Sequence, residues 1–198
     1  MRVTVFDYGA GNLHSLVKAL SMPGVEIAVE PDPVRATDTD VLVLPGVGAF
    51  GAAAARLAPG RSAMREALAA GLPCLGICLG MQLLFDGSDE GSGAGLGVIP
   101  GTVRRLAGER VPQIGWNTLE DRCDPLLAAS ALDVAYYANG YVCRPNDLGV
   151  VRAWSTHEHE RFPAMVRAGK VVGVQFHPEK SSQRGVAFAR AFLEEARS

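Results

Sequence analysis

One cysteine stands where the chain predicts a sharp turn between two apolar elements. Cys78 lies between Gly76 and Gly80, after the apolar run of residues 72–77 and before a second over residues 79–86. The first run predicts a short buried strand, and the second predicts an apolar helix. Gly-x-nucleophile-x-Gly at such a junction is typical of a nucleophile elbow, here with Cys in place of Ser. A helix starting after Cys78 would offer free N–H groups and a positive dipole end, which favour a thiolate. A buried junction without chemistry could carry the same glycines.

A second motif supplies what a nucleophilic cysteine needs. An apolar strand predicted over residues 171–176 ends in His177-Pro178-Glu179. A histidine can take the thiol proton, and a carboxylate two residues on can hold the imidazole in the right tautomer. A lone histidine at a strand end is usually a polar terminator. Together with the cysteine elbow, however, this motif predicts a catalytic triad of Cys78, His177 and Glu179.

A glycine-rich loop could stabilise the negative charge that such a nucleophile creates. Pro45-Gly-Val-Gly-Ala-Phe-Gly51 follows a third apolar run, over residues 41–44. Glycines there allow backbone N–H groups to approach a ligand closely. We predict an oxyanion hole formed by the N–H groups of Val47 and of Leu79, the residue after the nucleophile. A plain turn before a helix is the alternative. A phosphate-binding loop is not indicated, because the segment lacks the Gly-Lys-Ser/Thr ending.

Strands and helices alternate around these motifs. Apolar strands are predicted over residues 2–7, 25–30, 41–44 and 72–77, and helices over residues 12–21, 52–57, 62–70 and 79–86. Continuous apolar strands separated by helices predict a parallel sheet covered on both faces. The functional loops of such a sheet lie at the carboxyl ends of its strands.

The second half of the chain has a different texture. Residues 87–95 form a polar, glycine-rich stretch that we interpret as a flexible loop on the rim of a binding site. Short strands are predicted over residues 98–106, 112–119, 133–138, 149–154 and 171–176, and a last helix, capped by Ser181 or Ser182, runs to Ala196. The predicted fold class is therefore α/β: a three-layer, doubly wound, flavodoxin-like mixed sheet with an antiparallel extension.

Bulk properties narrow the function further. The length of 198 residues suits a single domain over residues 1–198. The chain is 48% hydrophobic and carries a net charge of −2. We expect no nucleic-acid or membrane partner, because there is no basic field and no apolar segment of membrane-spanning length. The first residues do not resemble a signal peptide, which predicts a cytoplasmic protein without disulfides. No metal or cofactor is predicted, and His157 and His159 are interpreted as part of a solvated turn.

Six motifs together resemble the triad-type (class I) glutamine amidotransferases over nearly the whole chain. They are Asp7-Tyr-Gly-Ala-Gly-Asn12, Pro45-Gly-Val-Gly-Ala-Phe50, Gly76-Ile-Cys-Leu-Gly-Met-Gln82, Gly95-Leu-Gly-Val-Ile-Pro-Gly101, Pro112-Gln-Ile-Gly-Trp-Asn117 and Gln175-Phe-His-Pro-Glu-Lys180.

This resemblance implies the fold of that family and hydrolysis of L-glutamine to glutamate and ammonia. It implies that Cys78 forms a thioester, that His177 is base and then acid, and that Glu179 orients His177. It also implies a polar pocket for glutamine, made by Gly46, Gly48, Gln82, Glu90, Gly140 and Tyr141.

Two of the motifs are similar to those of family members that serve a cyclase. Tyr-Gly-x-Gly-Asn and Gly-Trp-Asn imply a heterodimer in which ammonia passes through a (β/α)8-barrel cyclase to a phosphoribosyl substrate, in histidine biosynthesis. The implied interface residues are Asn12, Trp116, Tyr136 and Lys180. The chain departs from the family pattern at Gln113, where His is usual, at Ile114, and across Tyr137–Tyr141, where Gly140 removes a hydroxyl. None of these departures touches the predicted triad.

Three alternatives remain open at this point. A glutaminase serving another synthase, such as a pyridoxal phosphate or anthranilate system, is disfavoured by the Gly-Trp-Asn segment. A flavodoxin-like redox or regulatory module is disfavoured by the complete triad. A cysteine peptidase would need a groove for an extended chain, whereas Gln82 and Glu90 suit a small polar ligand.

Overall fold

A mixed seven-stranded sheet runs through the computed structural model, which describes residues 1–9, 13–46 and 48–197. The strands along these residues are β1 (Arg2–Phe6), β2 (Glu26–Glu30), β3 (Val41–Leu44), β4 (Cys74–Ile77), β5 (Gly87–Ser88), β6 (Gly101–Arg105), β7 (Gln113–Thr118), β8 (Val134–Asn139), β9 (Tyr141–Pro145), β10 (Val151–His157), β11 (Glu160–Ala168) and β12 (Val171–Val174). The helices are α1 (His14–Leu20), α2 (Phe50–Leu57), α3 (Arg61–Ala69), α4 (Leu79–Gln82), α5 (Pro125–Ser130) and α6 (Ser182–Ala196), with short 3-10 turns at Arg35–Thr37, Ala58–Gly60, Leu148–Val150 and Pro178–Lys180.

Five of the seven strands of the large sheet are parallel to one another. The order of the sheet is β10-β11-β12-β4-β3-β1-β2, and β12, β4, β3, β1 and β2 all run in the same direction. β11 is antiparallel to both of its neighbours. The carboxyl ends of β3, β4 and β12 therefore meet at one edge of the sheet, and the residues that follow these strands converge there.

The two faces of this sheet pack against separate hydrophobic cores. Val3, Val43 and Ile77 face the core that includes buried residues of α1 and α6. Leu42 and Leu44 face the core that includes buried residues of α2 and α3. Successive residues point to opposite faces because the side-chain period of a strand is two. Helices thus cover both faces, which confirms the predicted doubly wound α/β fold.

The antiparallel extension differs in part from the expectation. β12 was expected in the extension, but it pairs in parallel with β4 because its four residues are all buried and need cover on both faces. β10 and β11 supply the antiparallel extension and continue the large sheet, whereas β5-β6-β9 and β7-β8 form two separate sheets. β5, β9, β11 and α5 are not among the predicted elements, and β5 lies within the stretch of residues 87–95 that was interpreted as a flexible loop. Pro163 lies within β11, opposite Trp154, at an irregular register that accommodates a residue without an N–H.

The helix after Cys78 is shorter than expected. It ends at Gln82 instead of residue 86 because the next carbonyl groups bind a returning segment. The carbonyl of Leu83 accepts from Leu96 N–H at 2.7 Å, and that of Leu84 accepts from Val98 N–H at 2.9 Å. A single helical turn contributes little macrodipole, so α4 adds little positive potential at Cys78.

Gly80 marks the closest approach of α4 to the sheet. A Cβ there would collide with the backbone carbonyl of Leu44. We expect Gly80→Ala to lower the free energy of unfolding by about 2 kcal/mol, because backbone must shift to relieve the overlap. Gly87→Ala is the control, because the nearest atom to its added Cβ is 3.8 Å away. Urea unfolding measures both variants, and equal losses of stability would contradict the prediction.

Candidate active site

Cys78 occupies a strained turn at the carboxyl end of β4. Its φ and ψ are 48° and −104°, a region that residues other than glycine rarely adopt. The Cys78 N–H donates to the carbonyl of Val174 at 2.6 Å, and its own carbonyl accepts from Gln82 N–H at 3.1 Å. At Gly76, a Cβ would lie only 2.7 Å from the carbonyl oxygen of Gly80. The flanking glycines thus let the strand and helix pack closely enough to hold the cysteine in this conformation.

His177 and Glu179 follow β12, and Cys78 follows β4. Because β12 and β4 are parallel neighbours, the three residues lie side by side. His177 Nδ1 lies 2.8 Å from Glu179 Oε1, and both side chains are buried. The Cys78 side chain is close enough to the imidazole to raise the pKa of His177. The structure therefore brings the three predicted triad residues together in one chain of contacts.

The electrostatics of this cluster favour a charged imidazole. Burial lowers the pKa of His177, but hydrogen bonds and charge interactions with Cys78 and Glu179 outweigh it and raise the pKa to about 9. Because the pKa of His177 is higher in the folded protein, protonation of His177 stabilises the fold. This stabilisation is complete below about pH 6.5 and is lost as the pH rises through about 9. An imidazolium next to a sulfur provides both a thiolate nucleophile and an acid that can protonate a leaving group.

The loop after β3 comes close to the triad at a glycine. A Cβ on Gly46 would lie 3.0 Å from Cys78 Cβ and 3.0 Å from His177 Cε1, so a larger residue would push these side chains. Gly48 follows with a φ of +112°. Val47, one of the two predicted oxyanion donors, lies outside the described residues. Leu79, the other, is the first residue of α4, where a backbone N–H has no partner within the helix.

A cavity of about 270 Å³ opens over the sulfur. Its size suits a small ligand, because drug-sized ligands fill cavities of roughly 300 Å³ or more. All six predicted substrate-binding residues line it. The lining consists of Gly46, Gly48, Cys78, Leu79, Gln82, Glu90, Ala138, Asn139, Gly140, Tyr141, His177 and Lys180.

Hydrogen bonds within the wall fix several of these polar groups. The carbonyl of Tyr141 accepts from Gln82 Nε2 at 3.2 Å and from Asn139 Nδ2 at 3.1 Å, so both of its lone pairs are engaged. Glu90 Oε2 accepts from the N–H of Phe50, the first residue of α2, at 2.9 Å. Asn139 Oδ1 is buried without a hydrogen-bond partner in the described structure, which makes it an available acceptor in the wall.

Three of the predicted interface residues form one stack beside the cavity. The rings of Trp116 and Tyr136 meet edge to face with centroids 6.1 Å apart, and Lys180 Nζ lies 6.0 Å from the Tyr136 ring centroid. The side chain of Trp116 is 56% exposed, although it is large and apolar. Asn12, the fourth predicted residue, lies outside the described part of the chain. An exposed aromatic next to a cation is typical of a binding surface.

The backbone of Tyr136 connects this stack to the triad. Its carbonyl accepts from His177 N–H at 2.8 Å, and its N–H donates to Ser181 Oγ at 2.9 Å. Ser181 Oγ also donates to the carbonyl of His177 at 2.6 Å. The hydroxyl of Ser181 therefore does not cap α6, as the sequence suggested, but ties β8 to the segment that carries His177.

The sequence reasoning missed one residue at the nucleophile. Gln175 is fully buried, and its Nε2 donates to Cys78 Sγ at 3.5 Å. The available signal was a polar side chain inside the otherwise apolar run Val171-Val-Gly-Val-Gln-Phe176. A buried amide needs a partner, so its position predicts a specific contact.

Three observations on the described residues concern other possible roles. All four cysteines are free, and no group of three or more His, Cys, Asp or Glu side chains is placed to hold a metal ion within the described ranges. None of the helices assigned to these residues combines the length and the apolar character needed to cross a membrane.

Comparisons of the sequence and of the structure with known proteins agree on one family. Residues 4–196 match the family Glutamine amidotransferase class-I. The chain is 42% identical to the imidazole glycerol phosphate synthase subunit HisH of Halobacterium salinarum, with 97% of this chain and 92% of that protein covered. It is 41% identical to the same subunit from Thermus thermophilus, with 98% and 99% covered. A crystal structure of a glutamine amidotransferase has the same fold, with a TM-score of 0.76 at 23% identity and 99% of both chains covered.

The titration of His177 tests the electrostatics of the cluster. We expect its imidazole to titrate with a pKa of about 9 and this pKa to fall in Glu179→Gln and in Cys78→Ala, because each change removes a group that raises it. NMR of the labelled histidines measures the titration, with the exposed His159 as internal reference. The same midpoint for His177 in all three proteins would contradict the assigned causes.

Proposed function

The chain belongs to the class-I glutamine amidotransferase family, and from this premise we propose that it is the glutaminase subunit of an imidazole glycerol phosphate synthase. It would hydrolyse L-glutamine to glutamate and pass the ammonia to a cyclase subunit. The cyclase would use that ammonia to form imidazole glycerol phosphate and an aminoimidazole carboxamide ribotide, a step of histidine biosynthesis in the cytoplasm. The chain itself is proposed to need no cofactor.

The proposal rests on one observation. A cysteine in an elbow conformation, paired with a buried His–Glu dyad, opens into a cavity that suits a small amino acid. Relatives at about 40% identity over nearly the whole chain are named as HisH subunits of this synthase, which favours this member of the family.

Cys78, His177 and Glu179 are the proposed catalytic residues. The Cys78 thiolate attacks the side-chain amide carbon of glutamine, and the carbonyl oxygen becomes an oxyanion. His177, charged in the resting pair, gives its proton to the nitrogen as the C–N bond breaks, so that ammonia leaves and a thioester remains. His177 then takes a proton from water, which hydrolyses the thioester to glutamate and restores Cys78. Glu179 holds the imidazole orientation through Nδ1.

Backbone donors are proposed to stabilise the oxyanion in both steps. Leu79 N–H lies directly after the nucleophile, and Val47 is proposed as the second donor from the loop after β3. The close approach of Gly46 to Cys78 supports a role for that loop. Removing one such donor typically costs about 100- to 1000-fold in rate.

The polar lining is proposed to hold the α-amino and α-carboxylate groups of glutamine. Glu90 would attract the ammonium group while its Oε2 stays bound to the Phe50 N–H. Gln82, Gly48 and Gly140 would contact the rest of the substrate. Because Gly140 has no hydroxyl, only its backbone is available, and the carbonyl of Tyr141 is already engaged by Gln82 and Asn139.

The partner is proposed to be a (β/α)8-barrel cyclase that docks on the stack of Trp116, Tyr136 and Lys180 in a heterodimer, and Asn12 is proposed as a further contact. Trp and Tyr are common anchors of protein interfaces. The hydrogen bond from His177 N–H to the Tyr136 carbonyl gives docking a physical route to the triad, because a shift of β8 would move both. We therefore propose that hydrolysis is slow in the isolated chain and rises when the cyclase and its ligand bind.

The other candidate functions have less support. A peptidase would require an open groove, whereas the cavity at Cys78 has a volume of only about 270 Å³. A redox module would need no buried His–Glu dyad beside the sulfur.

Separating the two nitrogen sources tests the proposed reaction. A complex of the cyclase with Cys78→Ala should lose glutamine-dependent synthesis but keep synthesis driven by added ammonium salt, because only ammonia production uses the thiolate. Cys123→Ser is the control, because Cys123 is an exposed cysteine that does not line the cavity. Normal glutamine-dependent synthesis by Cys78→Ala would exclude the thioester mechanism.

Truncating the exposed tryptophan tests the docking surface. We expect Trp116→Ala to weaken cyclase binding by about 2 kcal/mol or more, because an aromatic anchor at an interface centre carries much of the binding energy. Leu148→Ala is the control, since Leu148 is 62% exposed but lies in the connection between β9 and β10. Calorimetric titration measures both, and equal affinities of the two variants would argue against this surface.

A further inference from the structure

We propose that Gln175 is a further catalytic residue, which holds Cys78 as a thiolate through an N–H donor whose orientation is fixed by a relay from the Tyr141 carbonyl through Gln82. The inference deepens the proposed function, because it concerns the same nucleophile.

The position of Gln175 follows from the pairing of two strands. β12 and β4 pair in parallel with Val174 opposite Ile77, so the next residues, Gln175 and Cys78, are neighbours across the sheet. The Gln175 N–H still donates to the carbonyl of Ala164 at 2.9 Å, which keeps its backbone in the sheet. Its side chain is therefore held at the sulfur by regular strand pairing.

A glutamine amide can face a neighbour with either its oxygen or its nitrogen, and the network here allows only one choice. The backbone carbonyl of Tyr141 can only accept, so Gln82 must present Nε2 to it, at 3.2 Å. The same Nε2 lies 3.4 Å from Gln175 Oε1 and supplies its second proton there. Gln175 must then present its own Nε2 to Cys78 Sγ, at 3.5 Å. Flipping either glutamine would place two donors or two acceptors against each other.

A fixed N–H donor in this place stabilises negative charge on sulfur. Gln175 is completely buried and Gln82 nearly so, which removes competing water from the relay. A hydrogen bond to a charged group is stronger than one between neutral groups, and more so away from water. The contribution matters here because α4 has only one turn and supplies little macrodipole.

Other titratable groups lie around the nucleophile. Burial, and then the negative charge of Cys78, raise the pKa values of Tyr8, after β1, and Cys143, in β9, so both groups remain neutral. The other charged or titratable groups of the triad and the cavity wall are His177, Glu179, Glu90, Lys180 and Tyr141. None of them is changed by a substitution at Gln175.

Alkylation of Cys78 by iodoacetamide measures thiolate formation without any glutamine. The experiment uses the full chain with Cys123→Ser, which removes the exposed competing thiol, and follows the adduct by intact mass at a series of pH values. We expect Gln175→Met to move the acid limb of the rate profile up by about one to two pH units, the shift expected for losing a hydrogen bond to a charged group. Gln175→Glu keeps the size of the side chain and should move the limb at least as far upward.

The matched control is Gln113→Met. Gln113 is another buried glutamine, in β7, and it does not line the cavity. Its profile should coincide with that of the parent chain, which excludes a general effect of removing a buried amide. A profile of Gln175→Met or Gln175→Glu that matches the parent, in a variant with a normal thermal melt, would overturn the inference.

Failure of the proposed function and failure of the relay give different results. If the parent chain with cyclase releases no glutamate while the alkylation profiles shift as expected, the proposed reaction is wrong and the role of Gln175 stands. If glutamine is hydrolysed normally but the profiles coincide, the relay is wrong and the proposed function stands.

Discussion

The parallel pairing of β4 with β12 is the contact on which the rest of the site depends. It sets Cys78 and the segment that begins at Gln175 side by side, although they are far apart in the sequence. The hydrogen bond from Cys78 N–H to the Val174 carbonyl extends this pairing into the turn itself. A slip of one residue would turn every side chain to the opposite face and separate the sulfur from the imidazole. Such a slip is opposed by the two apolar cores, because both faces of these strands are buried.

The site combines local strain with rigid support. A positive φ at a cysteine costs about 1–3 kcal/mol and persists only where its surroundings fix it. Here the surroundings are close backbone contacts, which Gly46, Gly76 and Gly80 permit because each leaves no room for a Cβ. The same glycines that make the turn possible also keep it rigid. Cys78 is thus held in place before any ligand arrives, as electrostatic stabilisation of a reaction requires.

Much of this arrangement was predictable from the sequence because strand ends and glycine pairs leave local signals. The central strands, the elbow at Cys78 and the proximity of His177 to it follow from apolar runs and from the rule that parallel strands share a carboxyl edge. The early end of α4 was not predictable, since the carbonyls of Leu83 and Leu84 bind a segment that is distant in sequence. The sequence signal for β11 is weak, because the strand contains Pro163 and proline normally argues against a strand. The role of Ser181 was likewise not predictable from local sequence. Its hydroxyl does not cap α6, because it is engaged in tertiary hydrogen bonds with Tyr136 and His177.

Strand β8 connects the exposed aromatic stack to the catalytic triad, although the two come from separate motifs of the sequence. At Tyr136 it carries the exposed aromatic stack and binds the backbone of His177, and two residues further on the carbonyl of Ala138 lies 4.0 Å from Cys78 Sγ. β8 pairs with β7 in a small separate sheet, but Ala135 and Tyr137 of β8 are buried in the same core as Val174 of β12. The Tyr137 hydroxyl also lies 2.6 Å from Ser155 Oγ, which ties β8 to β10 of the large sheet. A displacement of the Trp116–Tyr136 surface would therefore reach the cavity wall at Ala138 and the backbone of His177 together. Such a coupling of an exposed surface to both the wall and the imidazole is what control of hydrolysis by a docked partner would require.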